Sequence, residues 1–147
     1  MADMREALRN FLNADATLGT FLTGGFVDAN TLPSEWSIDD VPNDGVIIIP
    51  FSVLRWRAAV PTEINIDTQT ERRTVEIYIY QQKGYDLIEQ AKRRIKTILH
   101  RTRVQSDDAG ICMYHKLPDI HDFFAKEIGG AAAGGCKFYV DYIMKEN

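Results

Sequence analysis

Between Arg73 and Gln82 the chain reads RTVEIYIYQQ, and no other stretch constrains the fold as much. Val75, Ile77 and Ile79 alternate with Glu76, Tyr78 and Tyr80, the period of a β-strand that buries one face. A helical pattern follows almost at once. Ile88, Ala91, Ile95, Ile98, Leu99 and Thr102 recur at helical intervals, lining one side of an amphipathic helix. Asp86-x-x-Glu89 has the form of a capping box, and acidic residues early with basic ones late complement the helix dipole. The strand's apolar face and the helix's apolar stripe both need cover, so the pair predicts helix layered on sheet.

The rest of the chain extends both layers. Met4, Ala7, Leu8 and Phe11 are spaced as a helix, and Asn13 or Asp15 ends it or caps a second short one through Leu18, Phe21 and Leu22. Gly24-Gly25 stops that pattern. From Phe26 to Gly45 the text is rich in turn residues and predicts a long connection with room for one short strand, a length often tied to function. Val46 to Ile49 in GVIIIPF reads as a strand buried on both faces or covered by a partner, with Pro50 marking an edge or a bulge. FSVLRWRAAV continues it, with Leu54 and Trp56 on one face and Arg55 and Arg57 on the other. PTEINIDTQTERR reads as a polar hairpin tip. GICMYHKL and CKFYVDYIMK are two closing strands; in the second, Phe138, Val140 and Tyr142 alternate with Lys137, Tyr139 and Asp141. Between them, Phe123, Phe124 and Ile128 are able to pack, whereas GGAAAGG reads as a flexible hairpin or arm whose small side chains suit a tight subunit interface. The expectation is an α+β fold: a mostly antiparallel β-sheet with an N-terminal helix and a second amphipathic helix packed on one face, in one domain over residues 1–147.

Chemistry is harder to find. Neither a nucleophile elbow nor a phosphate-cradling loop is written in the chain, so an enzyme is not expected, nor a cofactor. His115 and His121 lie near Asp119 and Asp122, but Pro118 interrupts the spacing a zinc site would use, so no metal is expected. Cys112 and Cys136 fit no paired motif and read as small buried thiols. The N-terminus, MADMREALRN, lacks the apolar centre of a signal peptide, and no run is long enough to span a bilayer. The formal net charge of −4 argues against a general nucleic-acid binder.

One basic stretch stands against that charge. QAKRRIKTILHRTR, from Gln90 to Arg103, spreads its cations around the whole polar side of the helix. A solvated face is the first reading, with Glu89 set to pair with Arg93 at i,i+4. Phosphate contact, as in a small nucleic-acid-binding module, and a subunit interface are its rivals. Aromatic residues and arginines are enriched at interfaces. On that ground the candidate contact residues are Arg55, Trp56, Arg57, Tyr78 and Tyr80 on the strands, with Arg93, Arg94 and Arg101 on the helix and its end; for the strand residues ordinary cross-strand packing is the rival reading, and for Tyr78 and Tyr80 so is a place under a second layer.

The N-terminal helix MREALRNFL, the stretch ADATLGTFLTGGFVDANTLP, the apolar GVIIIPF, the strand–helix pair RRTVEIYIYQQKGYDLIEQAKRRIKTILH and the closing CKFYVDYIMK together resemble the tail terminator (tail completion) family of long-tailed bacteriophages. The likeness is one of pattern and size over most of the chain. It implies a single α+β domain that forms a homo-oligomer, a hexameric ring. Such a ring sits on the last ring of tail tube protein, stops tube growth and meets the head–tail connector or other neck proteins. DNA would pass through the channel without specific binding, and the protein would be found in the virion neck, or in host cytoplasm during assembly. A head-completion protein of the same neck is the alternative. Loops from Thr62 to Arg73 and Asp119 to Gly135 would reach the tube or the next subunit, ordering on contact.

Overall fold

The computed structural model describes residues 3–61 and 70–143. Its helices begin where the sequence supplies acceptors for their free amides. Helix α1 (Met4–Asn13) starts at Asp3, whose carboxylate accepts the Glu6 amide at 2.9 Å. Helix α2 (Ala16–Phe21) starts at Asp15, which accepts the Leu18 amide at 2.9 Å. Asn13 instead accepts the Phe26 amide at 3.0 Å, tying the end of α1 to the first strand.

Helix α3 (Asp86–Leu99) departs from expectation. The capping box at Asp86 and Glu89 does not form. The N-cap is Tyr85, without a side-chain bond, and the amides of Leu87 and Ile88 donate to Gln81 Oε1 at 3.0 and 3.2 Å. The preceding strand thus caps the helix. Glu89 pairs with Lys92 at 3.0 Å, not with Arg93.

The strands are β1 (Phe26–Asp28), β2 (Phe51–Trp56), β3 (Val60–Pro61), β4 (Thr70–Gln81), β5 (Arg103–Ser106), β6 (Gly110–Ala125) and β7 (Ala131–Ile143). They form one sheet in the order β1-β2-β4-β7-β6-β5, with β3 on the end of β4. Only the β1–β2 pairing is parallel. All three α-helices among the described residues cover one face. Leu8, Leu12 and Leu18 meet Ile88, Ile95 and Leu99 over Leu54, Val75, Ile77, Ile79 and Phe138. Each such side chain contributes about 1.5–3 kcal/mol through burial. The chain is therefore α+β, with its helices on one side of a mostly antiparallel sheet.

Several readings are corrected. Val46–Ile49 is not a buried strand. Val46 is 81% exposed, at the tip of a tight turn in which Asp44 Oδ1 accepts the amides of Val46 and Ile47 at 2.9 and 2.8 Å. Asp44 and Gly45 set a turn that β propensity does not override. Only Ile48 enters the core.

The segment Asp119–Gly135 is no floppy arm. β6 continues through Pro118 with two register shifts and returns as β7, in which Ala131, Ala132 and Ala133 are buried. The glycines there admit close packing: a Cβ on Gly135 would lie 1.9 Å from the carbonyl oxygen of Ile77, so only glycine fits against β4. Strand β5, which follows the helix directly, is an addition to the strands that alternation predicts. Of the expected hairpin tip, residues 62–69 lie outside the described residues, and β4 already runs from Thr70.

The cysteines behave as read. Cys112 and Cys136 are free and buried, and burial raises their thiol pKa values to about 11 and about 12.

Candidate functional site

The sheet face opposite the helices divides into two halves. The first is covered by a flap, residues 29–48, and by the turn after β6. Val41 and Ile48 of the flap pack with Phe51, Val53, Tyr80, Ala125, Ile128, Ala131 and Ala133. Trp36 stands edge-on to Tyr80 and Phe51, at 5.6 and 6.4 Å between ring centres. Along the flap's margin lies a cleft of about 320 Å³ lined by Leu32, Trp36, Arg55, Tyr78, Phe123 and Glu127, among others.

The second half carries no cover from the described residues. Strand register places its side chains. Arg55 lies opposite Glu76, Glu76 opposite Lys137, and Arg72 opposite Asp141. Their alternation puts Arg72, Glu76 and Tyr78 of β4 on one face with Lys137, Tyr139 and Asp141 of β7. His115 of β6 lies opposite Tyr139, and Arg103 of β5 opposite Met113. Arg72 chelates Asp141 through two bonds of 2.7 and 2.9 Å while its guanidinium lies 4.2 Å from the Tyr139 ring centre. His115 stacks on the other side of this group, 5.0 Å from Tyr139. Arg57 pairs with Glu76, and Tyr78 OH donates to the same carboxylate at 3.3 Å. Bidentate and stacked contacts hold these arginine side chains in a fixed geometry. The hydrogen bonds that Arg57 and Arg72 donate to Glu76 and Asp141 raise their pKa values further, keeping both charged.

This platform is basic. Arg55, Arg57, Arg72, Lys137 and Arg103 outnumber Glu76 and Asp141 on it. The flap beside it is acidic: residues 29–48 include Glu35, Asp39, Asp40 and Asp44, all exposed, and no Lys or Arg.

The predicted contact residues scatter over this geometry. Arg55, Arg57 and Tyr78 meet on the platform, with Arg55 5.9 Å from the Tyr78 ring centre. Tyr80, read as outward, is buried beneath the flap, and burial raises its hydroxyl pKa. Trp56 points to the helical side, where it meets Tyr114 at 6.4 Å. The helix residues stand apart from the platform. Arg94 binds Asp15 through bonds of 3.0 and 2.8 Å, Lys92 and Lys96 hold Asp119, and Arg93 is exposed on the same helix. Arg101 is exposed where the chain turns from α3 into β5, at a φ of 59°. Much of the basic helix is thus a set of internal ion pairs.

Arg72, Lys137, Tyr139 and Asp141 escaped the sequence reading as contact residues. Alternation placed each on a face, but only the register of β4 against β7 brings them together.

No helix among the described residues is long and apolar enough to cross a membrane. No protein-family model matches this sequence, and no curated protein matches it.

Proposed function

We propose that this chain is a structural assembly protein, a tail terminator whose copies close into a ring, hexameric by the resemblance, that caps a tail tube and joins it to the head connector. One observation carries the reading: exposed large apolar side chains gather at both ends of the sheet. Val46, Ile47 and Phe124 lie at one end, where the Ile48 amide is tied to Gln82 and Phe124 pairs with Ala132. Val60, Ile111 and Ile143 lie toward the other, where Thr70 pairs with Ile143 and Val60 with Arg72. β4 has 12 residues, so the ends are roughly 35 Å apart. Separate apolar surfaces suit a protein held between two different partners. The paired cations of α3 lend less support to a nucleic-acid-binding module, because three of them already hold carboxylates.

The test is to add the purified protein to polymerising tail tube protein and view the products by electron microscopy. The expected result is tubes of arrested length with a ring at one end, and a ring mass that light scattering assigns to six copies. Tubes that grow unaffected while the protein binds an isolated head connector would favour the head-completion reading. Binding to neither would end both.

A further inference from the structure

We infer that the basic platform, left uncovered by the described residues, is a docking surface for a second copy of this chain, and that its occupant is the neighbour's acidic flap. The inference rests on the self-assembly in the reading above and names its lateral contact.

The platform is the exposed face of two central strands, β4 and β7. In its own molecule the flap covers only the part of that face around Phe51, Tyr80 and Ala133. Beyond Tyr78 the same strands expose Arg72, Tyr139 and Lys137 at half burial. The occupant is argued from charge. The platform has an excess of cations, whereas the flap carries Glu35, Asp39, Asp40 and Asp44 with no Lys or Arg of its own. A chain of net charge −4 that separates its charges in this way repels a like half and attracts an unlike one.

The flap is also built as a ready-made ligand. Asn43 donates to the carbonyls of Ile38 and Val41 at 2.9 and 2.8 Å and accepts the Gly45 amide at 2.9 Å. With the Asp44 bonds, this turn is ordered before contact, so little conformational freedom is lost on docking. Its exposed Val46 and Ile47 bring apolar surface to an otherwise charged contact. Flap and platform are different patches of one chain, so flap-to-platform contacts can propagate from copy to copy and close into a ring when the rotation allows.

The experiment uses the full chain in sedimentation velocity over a range of concentration and salt. E35K/D39K reverses flap charges that take part in no hydrogen bond or ion pair among the described residues. R55E/K137E reverses platform charges and leaves the Arg57–Glu76 and Arg72–Asp141 pairs in place. Each double variant is expected to weaken self-association roughly tenfold or more, and the fourfold charge swap to restore it, since like charges brought together disfavour a contact. Circular dichroism melts check that each variant is folded, and the fourfold swap serves as an internal control. If wild type assembles and neither double variant changes its association, the inference is overturned while the ring reading stands. A charge-dependent assembly that ignores tail tubes supports the inference and sinks the tail terminator reading. A wild type that is monomeric throughout overturns both. Anisotropy with a labelled DNA duplex supplies the last arm: salt-sensitive binding lost in R55E/K137E, with self-association unmoved, would assign the platform to phosphate and overturn the inference.

Discussion

One face of one sheet is treated in two ways here. Around Phe51 and Tyr80 it is sealed by the flap into a small second core, with the two rings stacked 5.0 Å apart. A few residues further along β4 the same face is a lattice of arginines, carboxylates and aromatic rings left at half burial. The first half stabilises the chain through removal of apolar surface from water. The second gains little from its ion pairs, because exposed pairs are worth 0 to about 1 kcal/mol. The contrast teaches that the covered half stabilises the fold, whereas the half left uncovered by the described residues adds little to it.

Substitutions can break that contrast. The largest effect is expected at the seam, where Gly135 faces Tyr78. Gly135→Ala places a methyl group against the Ile77 carbonyl, a backbone atom that cannot swing aside, and should cost roughly 4 kcal/mol or abolish folding. Soluble yield and a urea melt would show it, and a variant as stable as wild type would refute the close approach. Phe51→Ala, in the covered half, should cost about 3–5 kcal/mol by the same measurement. Gln81→Ala removes the acceptor for two amides at the start of α3 and should cost about 1–2 kcal/mol. Arg72→Met, in the bare half, should cost under about 1 kcal/mol. A large loss there would mean that the platform is structural after all.

The smallest effect concerns acid. The Arg94 guanidinium beside Asp15, helped by the Leu18 amide, holds the Asp15 carboxyl below its ordinary pKa. Stability from a lowered carboxyl pKa is present above the unfolded value and is lost as pH falls through the folded one. Asp15→Asn keeps a capping side chain but loses the charge, so its deficit against wild type should shrink as pH drops from 5 toward 3. A deficit constant with pH in urea midpoints would remove Arg94 from that role.

What could be read in advance was local. The apolar stripe of α3 was legible because a period of about 3.6 shows in any window of a few turns. β4 was legible for the same reason with a period of two. Asp15 was among the capping candidates by residue type. GVIIIPF misled because β-branched residues favour strands only where they find a pleated surface to pack on, and here Asn43, Asp44 and Gly45 spend the segment on a turn. GGAAAGG misled in the opposite direction. Tracts of glycine and alanine hold no shape alone, yet here they let β7 pack close against β4. Of the proposed contact residues, Arg55, Arg57 and Tyr78 fall together, while Tyr80 is inside because a flap from elsewhere in the chain lies over it.

In β4 and α3 the sequence by itself determined which residues turn toward the helix–sheet core and which turn away, since that follows from the repeat of each element. Only the tertiary structure decided which outward residues meet water and which meet the flap, and which cations of α3 find carboxylates far along the chain. Alternation is a property of neighbours on one strand. Register, cover and charge pairing depend on which distant segments come to lie side by side, and no local period records that.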